Sequence, residues 1–420
     1  YEISLGLVGS EMCIRDRDRL SFQGEVMPQL SERVISITGL DGDGWEIFNL
    51  AREMKINGAE IIELTIGEHD DTTHSLILDA MHKSAREGNT GYASVPGTKS
   101  LRQEVANRVQ KRTGVHTTPN NVIITPGGQA GLFAAHVALA NQGDTGLIID
   151  PFYATYPTTL RSAGLSPRMV KTMPEDNFIP SVSELNKNAK NAKTLLINSP
   201  NNPTGTVYDK SNLFEISKVA IENDLWVISD EVYDTQIWVG KHISIRSVAN
   251  MENRTAVIGS MSKSHAMTGS RLGWVVAPEQ VIEKLSDLAC NTNYGVPGFI
   301  QDAGLYALTQ MPNIEKTVAE PFSRRRGIAK KIIKECPDIK MHPSLGGMYL
   351  MLDIRATGLN GIEFSKALLE ATNIAVMPGE SFGESSAGHI RVAMTISDDK
   401  FEYATRSICS FASSFTTSTN

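Results

Sequence analysis

The sequence predicts an α/β protein: a large domain with a mostly parallel sheet flanked by helices, plus a smaller α+β domain. Three observations predict it. From about residue 120, short apolar runs alternate with helix-like segments. After about residue 320 that alternation gives way to a long amphipathic pattern, an apolar run, another helix and a last apolar run. At 420 residues with 41% hydrophobic content, the chain can bury a large core and divide into two domains.

The runs NVIIT, TGLIID, KTLLINS, LWVISDE, TAVIGS and RLGWVVA are rich in Val, Ile and Leu, as strands buried on both faces require. The stretches QAGLFAAHVALA, KSNLFEISKVAIEN and EQVIEKLSDLACN read as the helices around them. Farther on, GGMYLMLDI and HIRVAMT read as strands of the second domain. The run Arg324, Arg325, Arg326, continuing into GIAKKIIKE, reads as a solvated helix face. The expected boundaries are 18–60 for an N-terminal segment contributing to the small domain, 61–305 for the large domain and 306–420 for the C-terminal small domain. Residues 1–17 are set aside: SLGLVGSEMCIRDR resembles an in-frame translation of a sequencing-library adapter and is excluded from fold reasoning.

Composition excludes several function classes. A net charge of −7 argues against nucleic acid or anionic membrane as the main partner. No apolar stretch approaches a bilayer span. The four cysteines form no C-x-x-C pair, which predicts a reducing, cytoplasmic setting and no metal site. Cys290, Cys336 and Cys409 are expected as buried thiols.

In open parallel sheets, ligands bind beyond the carboxyl ends of the strands. Here five such ends deliver polar or aromatic groups: PGGQAG, PFYATYP, PNNPTG, DEVYD and MSK. Gly128 and Gln129 open a helix, where glycine permits close backbone approach and free N–H groups favour an anion; Pro-Gly-Gly is equally a common turn. Arg271 would suit a phosphate dianion, or form a surface ion pair. Asp230 ends a central strand, where a carboxylate needs a cation such as a protonated pyridine; at contact that attraction is about 5 kcal/mol for an effective dielectric of about 20. A helix N-cap is its competing role. Asn202 and Tyr233 can donate to a phenolate oxygen, and Tyr153 can lie on a flat ring. Lys263 stands among small hydroxyl residues, eight positions before Arg271. Ser260 and Lys263 also fit an S-x-x-K acyl-transfer signature, but the S-D-N and K-T-G elements it requires do not occur in this chain. A phosphate, a flat ring with a basic nitrogen, a phenolic oxygen and a carbonyl for lysine together describe pyridoxal 5′-phosphate.

With GGQA, P-x-Y-x-x-YP, NSPNNPTG, SDEVY, SMSK and HIRVAMT in order, the chain resembles the class I aminotransferases of the fold-type I pyridoxal-phosphate superfamily, from roughly residue 33 to 412. The resemblance implies that Lys263 holds the internal aldimine and shuttles the substrate proton, with a pyridoxamine phosphate intermediate. It implies that Asp230 fixes the pyridinium, that Asn202 and Tyr233 hydrogen-bond the phenolic oxygen, and that Tyr153 stacks on the ring. Gly128, Gln129, Ser260 and Arg271 would hold the phosphate. Arg391 would clamp the substrate carboxylate beside Asn202 and Gly67, while Tyr92 would reach the phosphate of the partner subunit in a homodimer. The stretches SKSHAMTG, FIQDA and GGMYLMLDIRATGL narrow the similarity to arginine–pyruvate transaminases. Ser270, in place of a bulky aromatic, and HDDTTHS after Gly67 depart from the pattern. An arginine substrate would need an acid, with Asp43, Glu46, Glu68 and Asp70 as candidates. A C–S lyase working by β-elimination shares these motifs. A pyridoxal-phosphate-binding regulatory domain would need a helix-turn-helix region ahead of residue 33.

Overall fold

A computed structural model describes residues 28–38 and 44–416; the tract 1–17, Cys13 and Asp43 lie outside the described residues. After a two-residue strand β1 (Ile62–Glu63), seven strands form one sheet: β2 (Val122–Thr125), β3 (Thr145–Asp150), β4 (Ser166–Lys171), β5 (Ala192–Asn198), β6 (Trp226–Asp230), β7 (Thr255–Ser260) and β8 (Gly273–Val276). Their order is β2-β8-β7-β6-β5-β3-β4. β8 runs antiparallel to both neighbours and every other pairing is parallel, so the predicted mostly parallel α/β sheet is present. Sequence patterning missed β4. Its SPRMVK carries a proline and two cations and pairs only with β3, as suits an edge strand.

The central strands are buried on both faces. One apolar core joins Ile148, Leu196, Ile228 and Ile258 to Leu132 and Leu139 of the helix Gly127–Leu139. On the opposite face Leu147, Leu195 and Val227 pack against Leu213 and Ile216 of the helix Lys210–Glu222. Each fully buried aliphatic side chain contributes about 1.5–3 kcal/mol. Gly273 brings the helix Gly127–Leu139 onto the sheet: a Cβ there would come within 2.7 Å of the Gly127 carbonyl carbon and 2.9 Å of the Gly128 nitrogen. Only glycine permits that approach.

The C-terminal part supplies β9 (Lys340–Met341), β10 (Tyr349–Asp353), β11 (Ile374–Ala375), β12 (Met377–Pro378) and β13 (His389–Ala393). Four of these make an antiparallel sheet in the order β12-β13-β10-β9, while β11 pairs in parallel with β1. The helices Ile314–Lys334, Gly361–Thr372 and Asp398–Thr416 accompany them. Ile47 and Ala51 of the N-terminal helix Glu46–Ile56 pack on Leu369 and Ala375.

Two expectations need correction. The Arg324–Arg326 run is not uniformly solvated. Arg325 is 3% exposed, and its guanidinium is bound by Asp70 at 2.8 and 2.6 Å, by Asp398 at 2.9 Å and by the Met394 carbonyl at 2.9 Å. The one-dimensional charge pattern could not show that acids from two distant segments converge on it. Among the thiols, Cys336 is buried and Cys409 half-buried, but Cys290 is exposed because it ends its helix at the surface.

Candidate active site

The carboxyl ends of β2, β3, β5, β6 and β7 surround one crevice, and the C-terminal sheet brings Tyr349 and Arg391 to its other wall. Asp230 is 4% exposed at the end of β6. One carboxylate oxygen accepts from the Tyr156 hydroxyl at 2.6 Å and the other from the Val232 amide at 3.2 Å. Burial pushes its carboxyl up to about 6, against the pull of those two donors. No cationic side chain pairs with it among the described residues. Asn198 ties this strand end to the next: its amide donates to the Asp230 carbonyl at 3.0 Å and its oxygen accepts from the Asn202 amide at 2.8 Å.

Lys263 follows β7 in the short helix Met261–Ser264. Its Nζ donates to the Gly67 carbonyl. Burial holds the amine below the ordinary lysine range, partly offset by Tyr349 and Glu68. Gly67 lies so close to Tyr349 that a Cβ would overlap its hydroxyl. The Tyr233 hydroxyl is 3.3 Å from that of Tyr349, and burial raises Tyr233 well above the usual phenol range. Tyr153 is half-buried and stands edge-on to Tyr156, with ring centroids 5.6 Å apart.

Arg391 is 1% exposed. One amino group donates to the Asn202 side-chain oxygen at 2.9 Å and the other to the Thr65 carbonyl. The guanidinium lies over the rings of Tyr349, 4.3 Å from its centroid, and Phe382, 4.4 Å from its centroid. Its Nε has no partner, and no carboxylate reaches it among the described residues. A buried cation in that state is unfavourable unless an anion completes it.

The helix Gly127–Leu139 begins after Pro126 with no side-chain cap, which leaves its first N–H groups for an anion. Gly128 is buried there. Gln129 turns its side chain to Thr159, donating at 2.6 Å. Ser260 accepts from the Ser262 amide at 3.1 Å. Arg271 is exposed and holds the Thr268 carbonyl at 2.9 Å, with no carboxylate partner among the described residues. Tyr92 alone stands apart: it is 94% exposed and meets Tyr294, with ring centroids 5.7 Å apart.

Of the acids considered for a cationic substrate, Asp70 is committed to Arg325. Glu46 sits in the first turn of its helix. Glu68 accepts from Thr268 at 3.0 Å and forms no ion pair among the described residues. Sequence reasoning overlooked Tyr156, Asn198, Tyr349, Phe382 and Thr65. Tyr156 was within reach, since it is the second tyrosine of the PFYATYP stretch. Asn198 opens NSPNNPTG and Tyr349 lies in GGMYLMLDI, but those stretches drew attention to other positions; Phe382 and Thr65 lie in no quoted stretch.

The pieces fit pyridoxal phosphate: an uncapped helix N-terminus beside Arg271, whose guanidinium meets only carbonyls among the described residues, a buried carboxylate lacking a cationic partner, and a half-buried amine. The fold and the site thus define a pyridoxal-phosphate-dependent aminotransferase of fold type I. The chain belongs to the aminotransferase class I and II family, whose model matches residues 59–408. It is 36% identical over 372 residues to arginine–pyruvate transaminase AruH of Pseudomonas aeruginosa, covering 87% of this chain and 94% of that protein. It is 34% identical over 359 residues to an aspartate aminotransferase of Pyrococcus horikoshii, covering 84% and 90%. Among solved structures, Thermus thermophilus aspartate aminotransferase with maleate superposes with a TM-score of 0.86 at 28% identity, covering 92% of this chain and all of that one. Among the described residues, no helix is long and apolar enough to cross a membrane.

Proposed function

We propose that the protein moves the amino group of an L-amino acid to a 2-oxo acid, with arginine and pyruvate as the leading pair. The observation that carries this reading is Arg391, a buried guanidinium whose Nε has no partner and which meets no carboxylate among the described residues. Such a group is built to receive one, and a two-pronged bond would orient the substrate as well as bind it. Asn202, already on Arg391, holds the second edge of that subsite.

Pyridoxal phosphate, when bound, supplies an aldehyde for amine condensation and a ring that accepts the electron pair left at Cα. The chain's own residues do the rest. Lys263 takes the Cα proton and returns it, a role that suits an amine whose burial favours the neutral form. Asp230 would pair with the ring nitrogen and keep it protonated, with Tyr156 orienting the carboxylate. Tyr233 and Asn202 would hold the phenolic oxygen and Tyr153 the ring. Gly128, the backbone of Gln129, Ser260 and Arg271 would hold the phosphate, joined by Tyr92 of a second copy in a homodimer. Gly67 bounds the substrate from the N-terminal side. Arginine as donor rests on the Pseudomonas aeruginosa relative, and Glu68, held by Thr268 and near enough to act on the Lys263 amine, is the acid offered to its guanidinium.

The test is product analysis with a panel of donors against pyruvate and 2-oxoglutarate. Alanine formed in step with 2-oxo-5-guanidinopentanoate supports the reading. Ammonia and pyruvate released from cysteine or cystathionine, with no amino transfer to any oxo acid, would replace it with β-elimination.

A further inference from the structure

The HDDTTHS stretch, which the mechanism leaves unused, packs directly on the lysine. His69 Nε2 lies 3.1 Å from the Lys263 carbonyl oxygen. That oxygen can only accept, so Nε2 carries the proton and Nδ1 is bare. Nδ1 is buried without a partner. The ring stands edge-on to Phe322, with centroids 5.3 Å apart. Burial, reinforced by the nearby Lys263 charge, pushes the imidazole down to about 3. It therefore stays neutral at working pH and sets no second cation beside the amine.

The grip is reciprocal. Gly67, two residues earlier, accepts from Lys263 Nζ. Glu68 accepts from Thr268 at 3.0 Å, and Thr73 donates to the Ala266 carbonyl at 2.6 Å. Asp70, next to His69, is locked by Arg325 of the helix Ile314–Lys334. Segment 67–73 is thus laced to loop 263–268 on one side and bolted to a C-terminal helix on the other. On the lysine carbonyl, His69 shares its place with Gln236, which donates at 3.2 Å.

We propose that His69 is a positioning residue for Lys263: its ring N–H, braced by the Asp70–Arg325 pair, fixes the lysine backbone and so aims Nζ into the crevice. This rests on Lys263 being the reactive amine. A displaced amine would slow both its attachment to the cofactor and its proton transfer while leaving the Arg391 subsite intact.

The test compares His69→Phe, which keeps a ring against Phe322 but removes the donor, with His69→Gln, which keeps a donor at similar reach. With purified cofactor-free chain, we expect His69→Phe to slow borohydride-trappable cofactor attachment at Lys263 about tenfold after pyridoxal phosphate is added. In the loaded enzyme kcat should fall about tenfold with KM for the amino donor within about threefold, and His69→Gln should restore both rates to within about threefold of wild type. Wild-type rates in His69→Phe would overturn the proposal. So would an equal loss in His69→Gln, since volume rather than the donor would then matter. Should His69→Phe fail to fold, His69→Asn, one methylene too short for the carbonyl, takes its place against His69→Gln, and equal rates in that pair refute the idea. Failure of the underlying reading looks different: wild-type chain would trap no cofactor on the Lys263 peptide.

Discussion

Two arginines buried to nearly the same depth mark two regions of opposite character. Arg325 and Arg391 are 3% and 1% exposed. Arg325 meets Asp70 and Asp398 on both edges of its fork and a carbonyl besides; it is a completed structural pair. Arg391 meets an amide oxygen, a carbonyl and two aromatic faces, and its Nε meets nothing. Burial alone therefore says little about a charge. What separates the regions is whether the partner belongs to the chain. Asp230 falls on the Arg391 side of that divide, as a carboxylate with two neutral donors and no cation.

The comparison can be broken most severely at Lys263. Lys263→Ala should lower transamination by about 100,000-fold, in line with the loss of a group acting directly on the reacting atoms. Borohydride should then fix no cofactor on the peptide. Retained turnover would place the chemistry elsewhere in the crevice. The two arginines sharpen the contrast at the next level. Arg391→Leu should lower kcat/KM about 1,000-fold, or about 4 kcal/mol, by losing carboxylate recognition, yet leave denaturant stability unchanged or higher. Arg325→Leu should do the reverse, destabilising the fold by about 1–3 kcal/mol because Asp70 and the Met394 carbonyl lose their donor, while Asp398 keeps Arg324. Equal stability losses in the two variants would erase the distinction.

That distinction is also where sequence reading stopped. The six predicted strands of the large sheet are present because continuous runs of Val, Ile and Leu can serve little else. The residues clustered at their ends, from Gln129 to Lys263, were legible because each directly follows a strand. Arg391 was legible through HIRVAMT. What could not be read was pairing: nothing in GEHDDTTHS says that Asp70 belongs to Arg325 or that His69 lies on Lys263, since those contacts span 255 and 194 residues. Tyr349 was hidden in an apolar run that reads only as a strand. Edge strand β4 was hidden by its cations.

Asp230 gives a smaller effect with a sign that tests the argument. A carboxyl that ionises near 3.8 when free and at about 6 here opposes folding by up to about 3 kcal/mol once both states are ionised. The folded pKa is the raised one, so the favourable contribution is complete below pH 3.8 and lost as pH rises through 6. In cofactor-free chain, Asp230→Asn should thus be more stable than wild type at pH 8, with an advantage that shrinks toward pH 5. Urea melts at the two values measure it. The same variant should lose most of its transamination, because a neutral amide no longer holds the ring nitrogen protonated. A side chain that costs stability and is needed for turnover belongs with Arg391.

The smallest effect concerns a residue whose one ring contact in its own chain, among the described residues, is Tyr294. Tyr92 is 94% exposed and touches Tyr294, so within one chain it belongs to neither region. If it completes the phosphate site of a second copy, Tyr92→Phe keeps the ring contact and removes one hydrogen bond to a dianion. That bond is worth about 1.5 kcal/mol, so cofactor affinity should weaken about tenfold. The defect should travel across the interface. Mixed dimers of Tyr92→Phe with Lys263→Ala would each hold one site that has both an intact lysine and a wild-type Tyr92 from its neighbour. That site should bind cofactor as tightly as wild type, whereas weakened binding there would place the role of Tyr92 within its own chain.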